Sequence, residues 1–176
     1  MTRRLLRCPV PVLAAAAAGL LAVGLSAVQS PWSGAVFVLL LAGAAWEDGR
    51  TGYISDGWAL ALAAGGLSRW MTGGSWPDLF AAGLLFLILC VLARCGAAGG
   101  GDAPLAGAAA LWLPWEGTLL FAWGACVLGG LAGAALLLTK RKRLRDGLPF
   151  APFLCLSGGA AYVWGETLWT AWLSLW

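Results

Sequence analysis

Two short acidic segments of the sequence could carry out chemistry together. Residues 47–56 read EDGRTGYISD, and residues 99–105 read GGGDAPL. If Asp48 and Asp102 meet in the fold, they can hold one proton between them, because two like charges a few ångströms apart cannot both ionise cheaply. One carboxylate can then act as general base on a water while the other acts as general acid. This is the chemistry of aspartic proteolysis, and it requires neither histidine nor metal.

The composition excludes most other catalytic chemistry. The chain contains no histidine, which removes Ser-His-Asp and Cys-His nucleophile pairs, histidine bases and histidine metal sites. The five cysteines form no Cys-x-x-Cys pair and are expected to act as small apolar side chains, not as zinc ligands or a disulfide framework. They are Cys8, Cys90, Cys95, Cys126 and Cys155.

The elements that position the two segments must lie in a membrane. Of 176 residues, 61% are hydrophobic and 11% are charged, and the mean hydropathy is +0.83. A water-soluble globule cannot cover itself with so few polar side chains. Because backbone groups in lipid must bond within their own segment, the apolar runs are predicted to be helices. Those runs cover about residues 9–28, 32–46, 57–71, 77–94, 103–114, 117–139 and 149–167.

We therefore expect an all-α polytopic integral membrane protein with about six to seven transmembrane helices. Residues 1–30 are predicted to form an additional amino-terminal transmembrane helix, with a cleaved secretory signal as the alternative. Residues 31–176 are predicted to form the membrane domain. Pairs of glycines four residues apart, such as Gly129 and Gly133, are expected to let helices approach closely.

The positive charges predict the orientation, since Lys and Arg stay on the cytoplasmic side. Threading the runs back and forth puts ten of the 11 Lys and Arg residues on one side, with Arg69 as the exception. The amino terminus, Asp48 and Asp102 are therefore expected at the cytoplasmic face, and Asp78 at a helix start near the outer face. Acids at helix ends can also be simple topological anchors, and that interpretation stays open here.

Three motifs resemble those of the type IV prepilin peptidases. Residues 48–56 resemble the family's segment in which an Asp precedes an Ile/Leu-Pro-Asn/Asp turn, here Ile54, Ser55 and Asp56. Residues 99–102 look like its Gly-x-Gly-Asp segment, which is also found in preflagellin peptidases and presenilin-like proteases. Residues 148–154, LPFAPFL, are similar to the Pro-Phe-x-Pro segment that opens its last helix.

The resemblance implies an aspartic endopeptidase of the bacterial inner membrane that cuts the basic leader from prepilins or pseudopilins. Asp48 and Asp102 match the catalytic aspartates. Gly99, Gly100 and Gly101 would shape the backbone beside the substrate, as would Ile54 and Asp56 at the turn. The implied partners are the substrate and membrane lipids, with no nucleic acid, no cofactor and no metal.

The sequence also departs from the family pattern. Ser55 stands where proline is usual, and Pro104 stands where lysine is usual. We expect the protein to lack the cysteine-bearing amino-terminal domain of the long members, and we therefore predict peptidase activity without methyl transfer. Asp56 is expected to cap the following helix, and Glu47 to mark the interface. The alternatives are a homologue that binds pilin helices without cutting them, and a small transporter or membrane scaffold.

Overall fold

The computed structural model describes residues 31–96, 98–139 and 149–175. The expected first helix lies outside these ranges, as do residues 140–148, which include five of the Lys and Arg residues that predict the orientation. The described residues form six helices: α1 (Pro31–Thr51), α2 (Asp56–Gly73), α3 (Trp76–Arg94), α4 (Asp102–Ala110), α5 (Trp115–Leu138) and α6 (Ala151–Leu173). The prediction of an all-helical fold is therefore confirmed for this part of the chain.

The helix α1 is longer than the apolar run that predicts it. The run ends near Trp46, whereas the helix continues to Thr51 and includes Asp48 in its last turn. Gly52 ends the helix with a φ of +68°, a left-handed conformation that suits glycine, and its N–H donates to the Asp48 carbonyl at 2.8 Å. Because the helix continues past the apolar run, Asp48 is held on a regular element and not in a loop.

Two of the described helices, α3 and α5, are long and apolar enough to cross a membrane by length and composition. In α3 only Ala82 is buried, and large apolar side chains such as Phe80 and Leu87 face outward. Such a surface suits lipid as its solvent. The predicted total of six to seven membrane-spanning helices is not confirmed.

The helix in the run at residues 103–114 is shorter than the sequence predicts. The helix in this run, α4, has nine residues and is about 14 Å long at 1.5 Å per residue, against about 30 Å of hydrocarbon. Gly107 packs on Phe86, and the N–H of Trp115 donates to Asp78 at 2.9 Å. The segment therefore runs antiparallel to α3, and a turn at residues 111–113 completes its path.

Small residues place α4 at the centre of the bundle. Eight of its nine residues are buried, and the exception is Pro104. The helix packs against α2 and α3 along its length and also contacts α5 and α6. Alanine and glycine allow these close approaches, because they put little side chain between the backbones. The result is that Asp102, its first residue, lies inside the protein at one end of the bundle.

The last two helices pack antiparallel through small residues. A Cβ at Gly129 would lie 2.6 Å from the Phe150 ring, and one at Gly124 would lie 2.5 Å from the Ser157 hydroxyl. That hydroxyl donates to the Phe121 carbonyl at 2.7 Å. The predicted role of Gly129 is thus confirmed. A Cβ at Gly133 would have no neighbour within 4 Å among the described residues, so the packing role of Gly133 stays a prediction.

Candidate active site

Asp48 is buried where α1 meets the start of α6. Its side chain is 6% exposed, and Oδ2 accepts the N–H of Ala151 at 3.1 Å. Ala151 is the first residue of α6, where the backbone N–H groups have no partner within the helix. The positive end of the helix dipole therefore favours a carboxylate at this position. The Pro-Phe-x-Pro segment thus lies directly against Asp48.

Asp102 is buried at the start of α4. It is also 6% exposed, and its Oδ2 accepts the N–H of Gly99 at 3.1 Å. A Cβ on Gly99 would lie only 2.7 Å from this oxygen, closer than real contacts allow. The absence of a side chain at position 99 therefore lets the loop fold back onto the carboxylate.

The structure brings the two carboxylates together at one end of the bundle. Burial, and to a lesser extent the negative charge of Asp48, raises the pKa of Asp102 to about 6, although the hydrogen bond from the Gly99 N–H opposes the shift. A carboxyl group in this position holds a proton that an exposed aspartate would lose. Burial also raises the pKa of Asp48, although hydrogen bonds from the backbone N–H groups of Ala151 and Phe150 oppose this shift. At a pH near 6 or somewhat below, the arrangement can therefore supply one ionised and one protonated carboxyl group.

The glycines of the second motif differ in their surroundings. A Cβ on Gly101 would lie 3.2 Å from the Ile54 Cβ, and Ile54 is itself 5% exposed. The loop after α1 therefore packs on the loop before α4, next to both aspartates. Gly100 is exposed and has nothing within 4 Å of its Cβ position. Gly99 and Gly101 have the close contacts that require glycine or a small residue, and Gly100 does not.

The expected cap by Asp56 is wrong. Asp56 is exposed as the first residue of α2, and the capping position before it, Ser55, has no side-chain capping bond. Glu47 reaches across from α1 instead, since its Oε2 accepts the Ser55 N–H at 3.2 Å and the Trp58 indole N–H at 2.7 Å. The expectation that Glu47 only marks the interface is therefore also wrong. The sequence did not reveal this role, because no local pattern signals a contact with a tryptophan 11 residues later.

The described residues contain no cluster of three or more side chains of the kinds that commonly bind metal ions. Nowhere in residues 31–96, 98–139 and 149–175 do three or more Cys, Asp or Glu side chains come together. The two aspartates are thus a pair without a third acidic ligand in this part of the chain.

Asp78, at the opposite end of the bundle, has a structural role. Asp78 accepts the N–H of Ser75 at 2.9 Å and that of Trp115 at 2.9 Å. It therefore lies at a helix start, as predicted, where it caps α3 and ties the start of α5 to it. Arg69 lies at the same end and bonds the Trp112 carbonyl, with its guanidinium 5.7 Å from the centre of the Tyr162 ring.

Comparison with known proteins gives one family. The model of the type IV leader peptidase family matches residues 35–134, a stretch that contains both Asp48 and Asp102. No solved structure matches the chain.

Curated relatives carry the name prepilin leader peptidase/N-methyltransferase. The protein from Legionella pneumophila is 31% identical over 93 residues, covering 52% of this chain and 32% of the relative. The protein from Bacillus subtilis (strain 168) is 34% identical over 88 residues, covering 50% of this chain and 36% of the relative. The protein from Aeromonas salmonicida (strain A449) is 30% identical over 74 residues, covering 42% of this chain and 25% of the relative. The matched segment therefore spans about a third or less of each relative.

Proposed function

The chain belongs to the type IV leader peptidase family, and we propose that it is a membrane aspartic endopeptidase that removes the leader from prepilins or pseudopilins. The observation that carries this proposal is the meeting of two buried carboxyl groups, Asp48 and Asp102, at one end of the bundle. The names of the relatives supply the substrate class, since they act on prepilin leaders by name.

The surroundings of the two carboxyl groups support different roles for them. Asp48 faces the start of α6, where the Ala151 N–H favours its ionised form. Burial raises the pKa of both groups, but only Asp48 has the opposing hydrogen bonds of the α6 start, and the pKa of Asp102 is raised to about 6 by burial and by the charge of Asp48. Asp48 is therefore the general base in this proposal, and Asp102 is the general acid.

Hydrolysis then follows in two balanced steps. Asp48 takes a proton from a water whose oxygen bonds to the scissile carbonyl carbon, and Asp102 gives its proton to the carbonyl oxygen. The resulting gem-diol collapses when Asp102 takes back a hydroxyl proton and Asp48 gives its proton to the amide nitrogen, and the C–N bond breaks. Both aspartates return to their starting states.

The substrate must present an extended peptide bond to this water. Gly99 and Gly100 are exposed beside Asp102, so an unwound segment of the substrate helix can approach the carboxyl groups there. The leader's basic residues stay on the cytoplasmic side by the same charge rule that orients this chain. We propose that the site faces the cytoplasm and that the protein resides in the bacterial inner membrane.

A non-cleaving pilin-binding homologue is the second candidate, and Pro104 favours it. Pro104 lies in the first turn of α4, where proline fits a helix. Unlike lysine, it provides no ammonium group beside Asp48 and Asp102, the proposed catalytic dyad. Restoring the cation with Pro104→Lys separates the two functions. An enzyme cleaves with proline in place, whereas a degenerate binder cleaves only after the substitution.

The test is co-expression in a bacterial membrane with a panel of tagged prepilins and pseudopilins. Leader loss is read by gel shift and by the mass of the new amino terminus. We expect at least one substrate to be cut at a single bond beside its hydrophobic helix. Intact substrates in the presence of folded, membrane-inserted protein would reject the peptidase and favour the binder.

A further inference from the structure

Glu47 joins two helices beside the dyad. Gly43 and Glu47 lie one turn apart on the same face of α1, and both contact Trp58 of α2. A Cβ on Gly43 would lie 2.3 Å from the Trp58 ring, and the indole N–H donates to Glu47 Oε2 at 2.7 Å. The Trp58 ring thus packs on the α1 backbone at Gly43, and its indole N–H is held by the Glu47 carboxylate.

The same oxygen of Glu47 also fixes the loop between the helices. The Ser55 N–H donates to it at 3.2 Å, and the pKa of Glu47 lies below its usual value, chiefly because of this backbone hydrogen bond. Ile54, the residue before Ser55, packs on Gly101. A series of contacts therefore runs from Glu47, next to Asp48, through Ser55 and Ile54 to Gly101, in the loop just before Asp102.

The backbone at Ser55 has a conformation that proline favours. Its φ is −73° and its ψ is 142°, and the proline ring fixes φ at about −65°. A proline at this position would hold the loop without a hydrogen bond, but it has no N–H to donate. With serine present, the N–H is available to bond, and Glu47 accepts it.

We propose that Glu47 is a positioning residue that holds the 52–55 loop, and through Ile54 and Gly101 sets Asp102 against Asp48. Its hydrogen bond to Ser55 does here what a proline at position 55 would do by covalent restraint. This inference rests on the proposed peptidase function for its kinetic consequences, and its structural part is independent of that function.

Four variants test the proposal in leader cleavage. Glu47→Ala removes the acceptor and should lower kcat by about tenfold or more with little change in KM, because small misplacements of reacting groups are costly. Glu47→Gln keeps an acceptor oxygen and should retain most of kcat. Ser55→Pro in the Glu47→Ala background should raise kcat at least threefold. Trp58→Phe keeps an aromatic ring but loses the indole hydrogen bond, and it should lower kcat less than Glu47→Ala does.

The pH profile separates positioning from electrostatics. A positioning role leaves the pH midpoints of kcat unchanged in Glu47→Gln, whereas a direct effect of its charge on Asp48 would move them. A moved midpoint, an unchanged kcat in Glu47→Ala, or no recovery with Ser55→Pro would each overturn the proposal.

Hydrogen exchange tests the structural part without any substrate. Glu47→Ala should speed exchange at the amides of residues 99–102 by several-fold, and the added Ser55→Pro should slow it again. Unchanged exchange in this loop would overturn the proposal even if the enzyme is active. If the wild type cuts no substrate, the peptidase proposal fails, and the exchange result still decides the role of Glu47.

Discussion

The N–H of Ala151 donates to Asp48 Oδ2 at 3.1 Å, so the start of the last helix contacts an aspartate 103 residues earlier in the chain. This contact links the first and third sequence motifs, while the packing of Ile54 on Gly101 links the first and second. All three motifs therefore converge on one end of the helical bundle.

The contact with Ala151 predicts that two substitutions at Asp48 differ in stability but not in activity. Asp48→Asn keeps an oxygen that can accept the N–H, whereas Asp48→Ala leaves the helix start without its cap, which costs about 1 kcal/mol. Both variants should lose leader cleavage. Thermal unfolding in detergent checks the difference, and equal midpoints for the two variants would contradict the capping role.

Cleavage should depend on pH through Asp102. The proposed acid must be protonated, and its pKa is raised to about 6 by burial and by the charge of Asp48. As the pH rises through this value, Asp102 loses its proton and kcat should fall. The initial rate measured from about pH 4.5 to 8.5 checks this, with denaturation excluded by recovery of activity on return to about pH 6. A rate that rises steadily across this range would contradict the assignment.

Much of the site could be predicted from the sequence, because the motifs identify the residues and the charge rule puts them on one face. The sequence could not predict the partners of those residues. That Glu47, and not Asp56, holds the start of α2 depends on Trp58 packing over Gly43, a contact between helices that leaves no local pattern.

The lengths of the helices are harder to predict for a related reason. Apolarity marks residues 103–114 as one run, but the helix ends at Ala110, and the chain continues along α3 in a turn. In α1 the helix passes beyond the apolar run to Thr51 and ends at the left-handed Gly52. Hydropathy reports the surroundings of side chains, whereas the ends of helices are set by backbone hydrogen bonds and glycine conformation.

The loop before Asp102 offers a matched pair of glycine substitutions. Gly99→Ala would put a methyl 2.7 Å from Asp102 Oδ2 and force the carboxylate or the loop to move, while the position of a methyl at Gly100 is open. We expect kcat to fall about tenfold or more in Gly99→Ala and far less in Gly100→Ala. Steady-state cleavage of one prepilin checks both, and equal losses would contradict the geometry of the loop.

Methyl transfer is predicted to be absent. The relatives are named for both activities, whereas the proposed dyad hydrolyses a peptide bond without a methyl donor. Adding S-adenosylmethionine should change neither the cleavage rate nor the mass of the mature amino terminus. A mass gain of one methyl group, dependent on the purified protein, would overturn this prediction.

The most direct test of the dyad is the initial rate of leader cleavage by the purified protein in lipid nanodiscs, with the wild type beside Asp48→Asn and Asp102→Asn. Glu166→Gln, an exposed acid on α6, serves as the matched control. We predict that each aspartate variant loses about 1000-fold or more in rate, as expected when a general acid or base is removed, while the control keeps the wild-type rate. Wild-type cleavage by either folded aspartate variant would contradict the proposed mechanism.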